Sequence, residues 1–127
     1  MTVRSISHAA AAALALSGVL AAAGCFSERE ETTGPSTAEC RTPGQPCVVE
    51  IRDYAFHPAE IHVAPGVTIT WVNRDVEAHT STSDDGSTWD SGLLFENETY
   101  ERSFDQTGEF PYHCAPHPFM KGVVIVE

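Results

Sequence analysis

The sequence predicts an all-β domain built as a two-sheet sandwich, on three observations. From Val48 onward, short runs rich in Val, Ile, Thr and aromatic residues alternate with turn residues. Amphipathic stretches of helix length are absent from that region. The clearest run places Val67, Ile69 and Trp71 on one parity and Thr68, Thr70 and Val72 on the other, the pattern of a half-buried strand. Strands this short bury their apolar faces when two sheets pack against each other.

The domain occupies only part of the 127 residues. Residues 1–24 carry one basic residue, Arg4, then an alanine-rich apolar stretch and small residues before Cys25, which together read as an export signal. A spanning helix needs about 20 apolar residues in succession. Here Ser17-Gly18 interrupts the stretch and the acidic run Ser27-Glu28-Arg29-Glu30-Glu31 follows it. The string Leu20-Ala-Ala-Ala-Gly-Cys25 resembles a bacterial lipoprotein processing site, which implies cleavage before Cys25 and lipid on its thiol. An ordinary cleavage site that leaves Cys25 free or disulfide-bonded is the alternative. Residues 25–39 are rich in Glu, Thr, Ser, Gly and Pro, with Phe26 the one large apolar side chain, and are expected to form a flexible tether.

Residues 40–127 are then the folded domain. Export implies an oxidising compartment, so Cys40 and Cys47, flanking the turn-like Thr42-Pro43-Gly44-Gln45-Pro46, are expected to close a disulfide loop. A paired metal ligand is the other reading, and the lack of a histidine between them counts against it. Val48-Val49-Glu50-Ile51 begins a strand, Tyr54 and Phe56 add aromatic bulk before His57-Pro58, and Ile61 and Val63 extend to the turn Pro65-Gly66. The central strand ends at Asn73-Arg74-Asp75. Residues 81–86 are polar and turn-rich, and Trp89, Leu93, Leu94 and Phe95 are apolar anchors of an irregular connection. Residues 98–104 alternate as a strand, Thr107-Gly108 turns, and residues 123–126 form a terminal apolar strand.

Seven Lys and Arg against eighteen Asp and Glu give a formal net charge of −11, which argues against nucleic acid as a partner. The domain holds one lysine, Lys121. Asp84, Asp85, Asp90, Glu96, Glu98, Glu101, Asp105 and Glu109 read as a solvated face, or alternatively as a field that steers a positively charged redox partner.

The chemistry is concentrated in Cys114-Ala-Pro-His117-Pro-Phe-Met120, which sets a thiolate, an imidazole and a thioether at three-residue intervals. Pro116 and Pro118 prevent a regular helix and favour a tight loop, so the three side chains can turn to one point. A fourth ligand must come from elsewhere, and His79, just beyond the central strand, is the best placed. Two imidazoles and a thiolate with a weak methionine suit copper, whereas zinc has no need of Met120. His57 and His62 read as surface or turn residues, and His113, on the opposite parity from Cys114, reads as a surface or supporting residue. His8 falls in the export signal.

These residues make the chain resemble the cupredoxins, the small type 1 blue copper proteins, and especially their amicyanin, plastocyanin and pseudoazurin group. The likeness covers about residues 48–127 and rests on Tyr54-Ala-Phe56-His57-Pro58, Pro65-Gly-Val-Thr-Ile-Thr-Trp71-Val-Asn73 and Tyr112-His113-Cys114-Ala-Pro116-His117-Pro-Phe119-Met120. It implies a Greek-key β-sandwich, one Cu(I)/Cu(II) ion held by His79, Cys114 and His117 with Met120 axial, and His117 as the electron port in an apolar rim of Pro116, Pro118 and Phe119. The two-residue gap between His117 and Met120 is similar to amicyanin. Thr80 stands where the family commonly has Asn. The implied function is one-electron carriage, without catalysis, by a monomer. Its partners would be transient redox proteins such as a cytochrome or a dehydrogenase. The setting would be periplasmic or cell-surface, with the membrane reached through lipid on Cys25. A copper chaperone or storage module is the alternative. A copper oxidase fragment would need a second histidine-rich set that the chain does not offer.

Overall fold

The computed structural model describes residues 37–127, so the export signal, Cys25 and most of the tether lie outside the described residues. Among the described residues, the strands are β1 (Thr37–Cys40), β2 (Cys47–Arg52), β3 (Ala55–His57), β4 (Glu60–Val63), β5 (Thr68–Asn73), β6 (Thr82–Ser83), β7 (Thr99–Ser103), β8 (Gly108–His113) and β9 (Lys121–Val126). One sheet has the order β1-β4-β9-β8-β6 and the other β3-β2-β5-β7. This is the all-β, two-sheet sandwich that the alternation predicts. Both sheets are mixed: β1 with β4, β4 with β9 and β2 with β5 run parallel, and the other pairs are antiparallel.

The inner faces are filled by the expected residues. Val67, Ile69 and Trp71 are buried, as are Val49, Ile51, Ile61, Val63 and Val124. Trp71 sits at the centre, with its ring centroid 6.2 Å from Trp89 and 5.7 Å from Tyr112. Tyr112 fills the space over Gly122 so closely that a Cβ there would run into its ring. Aromatic contacts of this kind contribute about 0.5–1.5 kcal/mol each beyond area burial.

Two features depart from the sequence reading. Thr37, Ala38 and Glu39, assigned to the tether, belong to strand β1, which pairs in parallel with β4. Their lack of large apolar side chains hides this; the strand is held by pairing and by the Cys40–Cys47 disulfide, which forms as expected and joins β1 in one sheet to β2 in the other. At the other end of β2, Asp53 and Tyr54 form a two-residue hairpin turn with φ of 54° and 56°. Left-handed backbone costs a side-chain-bearing residue about 1–2 kcal/mol, so something must offset it.

Candidate metal centre

The site lies where the chain crosses between the sheets. Strand β5 belongs to the four-stranded sheet and β6 to the five-stranded one, and His79 lies on the connection between them. A backbone bridge fixes it there: His79 N–H donates to the Leu94 carbonyl at 3.1 Å and Leu94 N–H donates back at 2.8 Å. Asn73, fully buried, holds the same connection by donating from Nδ2 to the carbonyls of Glu77 (2.7 Å) and Leu94 (2.9 Å) while accepting the Asp75 N–H (2.9 Å).

The second half of the site is the β8–β9 loop. His117 N–H donates to the Cys114 carbonyl, Met120 N–H to the His117 carbonyl, and Cys114 N–H to the Met120 carbonyl, at 3.2, 2.9 and 3.2 Å. These bonds close the loop that the two prolines predispose. Cys114 and Met120 are buried, and His117 is half-buried.

The two halves bring three donors together. Cys114 Sγ lies 3.6 Å from both His79 Nδ1 and His117 Nδ1, and the two nitrogens are 3.2 Å apart. One ion with metal–nitrogen and metal–sulfur bonds of about 2.0 and 2.3 Å, in a trigonal plane, needs donor separations of about 3.5–3.7 Å. The triangle fits a metal to within a few tenths of an ångström. It is also the one group of three or more His, Cys, Asp or Glu found to converge in this way among the described residues.

Residues 45–127 match the family model described as copper binding proteins, plastocyanin/azurin family. The chain belongs to this family of copper-binding proteins. Amicyanin of Paracoccus denitrificans is 36% identical over 84 residues, covering 63% of this chain and 64% of that protein. Amicyanin-alpha of Methylorubrum extorquens is 30% identical over 128 residues, covering 98% and 99%. A solved amicyanin variant in its Cu(I) form superposes with a TM-score of 0.63 at 32% identity, over 68% of this chain and 86% of that one. The cofactor of this cupredoxin is a single type 1 copper ion, and its donor triangle suits one.

Around the donors, the cupredoxin loops are tied to each other. Thr80 N–H points at Cys114 Sγ at 3.4 Å, and Thr80 Oγ1 accepts the Ala115 N–H at 2.8 Å while pairing with Thr82 Oγ1. Threonine thus joins the two ligand loops despite its short reach. Behind His79, Asp75 Oδ2 lies 2.9 Å from Nε2, while Nδ1 of the same ring faces Cys114 and His117. The Asp75 carboxylate also accepts the N–H groups of Asp53 (2.8 Å) and Tyr54 (3.0 Å), which offsets the left-handed turn. Burial acts to raise its pKa, but these two amides and His79 outweigh it and hold the carboxyl below its usual value.

The turn in turn presents Tyr54 edge-on to both imidazoles, 5.2 Å from His79 and 5.0 Å from His117. Burial, and then Glu77, raise the Tyr54 pKa, so the phenol stays neutral. Asp75 and Tyr54 are the site residues that the sequence reading missed. The only sequence signal for Asp75 was a turn, and Tyr54 read as aromatic bulk.

The other histidines lie apart from the donors. His113 Nδ1 pairs with Asp84 Oδ1 at 2.6 Å. His57 and His62 are strand residues rather than turn residues: His57 is half-buried in β3, with Nε2 screened from solvent and unpaired, and His62 lies in β4 between Glu60 and Glu127. Strand pairing on both sides of Pro58, β3 with β2 and β4 with its two neighbours, draws these residues into the sheets. Of the acidic set, Asp85 binds Ser83, Ser87 and Thr88, Asp90 binds Thr82 and Gly92, and Glu98 binds the Phe95 N–H. Those carboxylates shape loops.

Proposed function

We propose that this cupredoxin carries single electrons between protein partners at the exported face of a membrane, through a copper ion that His79, Cys114, His117 and Met120 would hold. The observation that carries this reading is the convergence of the three donor atoms. When bound, the copper supplies one reversible Cu(II)/Cu(I) step. The chain supplies a fixed frame: the closed 114–120 loop, the Thr80 bridge and the Asn73 anchor hold the donors without the metal, so little rearrangement accompanies electron exchange. The Thr80 N–H draws charge from the thiolate sulfur. The Tyr54 ring stands edge-on to both imidazoles and Met120 is buried.

His117 is the electron port. It is the less buried of the two imidazoles, and Phe119, 70% exposed, stands 6.0 Å from its ring. Apolar side chains here support a brief docking contact with a cytochrome or dehydrogenase. Among the described residues no helix is long and apolar enough to cross a membrane. Lipid on Cys25 is the anchor, with residues 26–36 as the spacer.

Visible absorption and electron paramagnetic resonance on the Cu(II)-loaded protein test the assignment. An intense thiolate-to-copper band with narrow hyperfine splitting is expected, and its persistence in Cys114→Ser would remove the sulfur assignment. Stopped-flow exchange separates a carrier, which keeps its copper through rapid turnover, from a chaperone, which releases it. Mass spectrometry of the membrane-extracted protein tests the lipid on Cys25.

A further inference from the structure

We infer that Asp75 is a positioning residue that sets the redox balance of the site, by fixing the tautomer of His79 and lending the ring negative charge, and that the Asp53–Tyr54 turn exists to hold that carboxylate in place. The inference rests on the copper reading above and extends it to a residue outside the donor set.

Three observations converge on Asp75. Its side chain is 14% exposed beside a His79 that is fully buried, so their 2.9 Å contact is largely shielded from solvent. A carboxylate in such surroundings acts on its partner far more strongly than an exposed one. Its two oxygens are otherwise engaged by the amides of Asp53 and Tyr54, the two consecutive left-handed residues of the β2–β3 hairpin. Tight hairpin turns of this shape favour Asn-Gly or Asp-Gly. Tyr54 in the second position is unfavourable unless its amide and ring gain something, and both do: the amide binds Asp75 and the ring packs on both imidazoles.

The consequence follows from charge. A carboxylate accepting the Nε2 proton makes the opposite nitrogen a stronger donor and favours the more highly charged state of the ion, lowering the reduction potential. Loss of such a partner commonly costs about 10–100-fold in metal affinity.

Asp75→Asn keeps the shape and removes the charge. At fixed solution potential, the ratio of reduced to oxidised copper is expected to rise about tenfold, a shift of about 59 mV for one electron. Glu96→Gln removes an equal but exposed charge two residues beyond Leu94 and is expected to shift the ratio less than about threefold. A blue Asp75→Asn protein with wild-type potential overturns the inference. Should Asp75→Asn fail to fold, nitrogen-15 NMR of the metal-free wild type decides: a proton on His79 Nε2 supports the inference and one on Nδ1 overturns it. Absence of the blue band from the wild type itself would instead sink the copper reading.

Discussion

The two imidazoles of the site are chemically identical and structurally opposite. His79 is fully buried, its backbone bridged to Leu94 in both directions, its ring held from behind by Asp75. His117 is half-buried on a short loop, and rings rather than charges surround it: Tyr54 at 5.0 Å and Phe119 at 6.0 Å. The difference teaches a division of labour. The anchored ring fixes where the ion sits and how strongly it is held, while the accessible ring gives electrons a way out.

The largest effect should come from deleting each ring in turn. His117→Gly opens a gap that reaches solvent, so added imidazole is expected to enter and restore the blue band. His79→Gly opens a gap sealed by Leu94, Asn73 and Cys114, so the same imidazole should fail, and copper affinity should fall by more than the about 100-fold that loss of an outer partner costs. Equal rescue of the two variants, read by absorbance titration, would break the comparison.

Next is the anchor itself. Asn73→Ala strands the Glu77 carbonyl and the Asp75 N–H and leaves the Leu94 carbonyl with the His79 N–H alone, and groups left unpaired away from water cost about 1–3 kcal/mol each. A loss of about 3 kcal/mol is expected in urea denaturation of the metal-free protein. Hydrogen exchange should quicken at the His79 amide and not at those of His117 and Met120. Uniform quickening would mean that the two halves open together.

A smaller effect tests the tie between them. Thr80→Val removes the acceptor for the Ala115 N–H and the bond to Thr82, and should cost about 1 kcal/mol, whereas Thr80→Ser should restore most of it. If serine does no better than valine, the methyl group rather than the hydroxyl holds the loops together.

The halves of the site also differed in how plainly the sequence announced them. The His117 half was legible because cysteine, histidine and methionine fall within seven residues and prolines dictate a loop. The core face of β5 was legible because Val67, Ile69 and Trp71 keep one parity. The His79 half was legible only as a histidine near a strand end, since its support comes from residues that look like turn chemistry: Asn73, Asp75 and the Asp53–Tyr54 pair. Periodicity carries no record of a side chain that reaches back to a backbone amide 21 or 22 positions earlier. Strand β1 was hidden for a related reason. Thr37-Ala-Glu-Cys40 alternates only through the small side chains of Ala38 and Cys40, and becomes a strand through a parallel partner and a disulfide, both set by tertiary structure.

The smallest expected effect comes from a third histidine, where carboxylates surround a ring that water reaches. His62 lies between Glu60 at 3.0 Å and Glu127 at 3.1 Å, and Glu127 also accepts from Arg41 at 2.7 Å, joining β4, the end of the chain and the residue after β1. The hydrogen bond to Glu60, then that to Glu127, raise the His62 pKa; His62 and then Arg41 lower that of Glu127. A raised histidine contributes stability that is complete below its ordinary value of about 6.5 and fades as pH climbs through the raised one. A lowered carboxyl contributes stability that is complete above its ordinary value of about 4.3 and fades as pH falls through the lowered one. The network is therefore strongest between about pH 4.5 and 6.5. The melting temperature of the wild type should exceed that of His62→Gln most clearly near pH 5.5, with the gap narrowing by pH 8 and in high salt. A gap that widens with pH would show that His62 contributes through packing in β4 and not through its charge, which would make it resemble His79 more than an exposed ion pair.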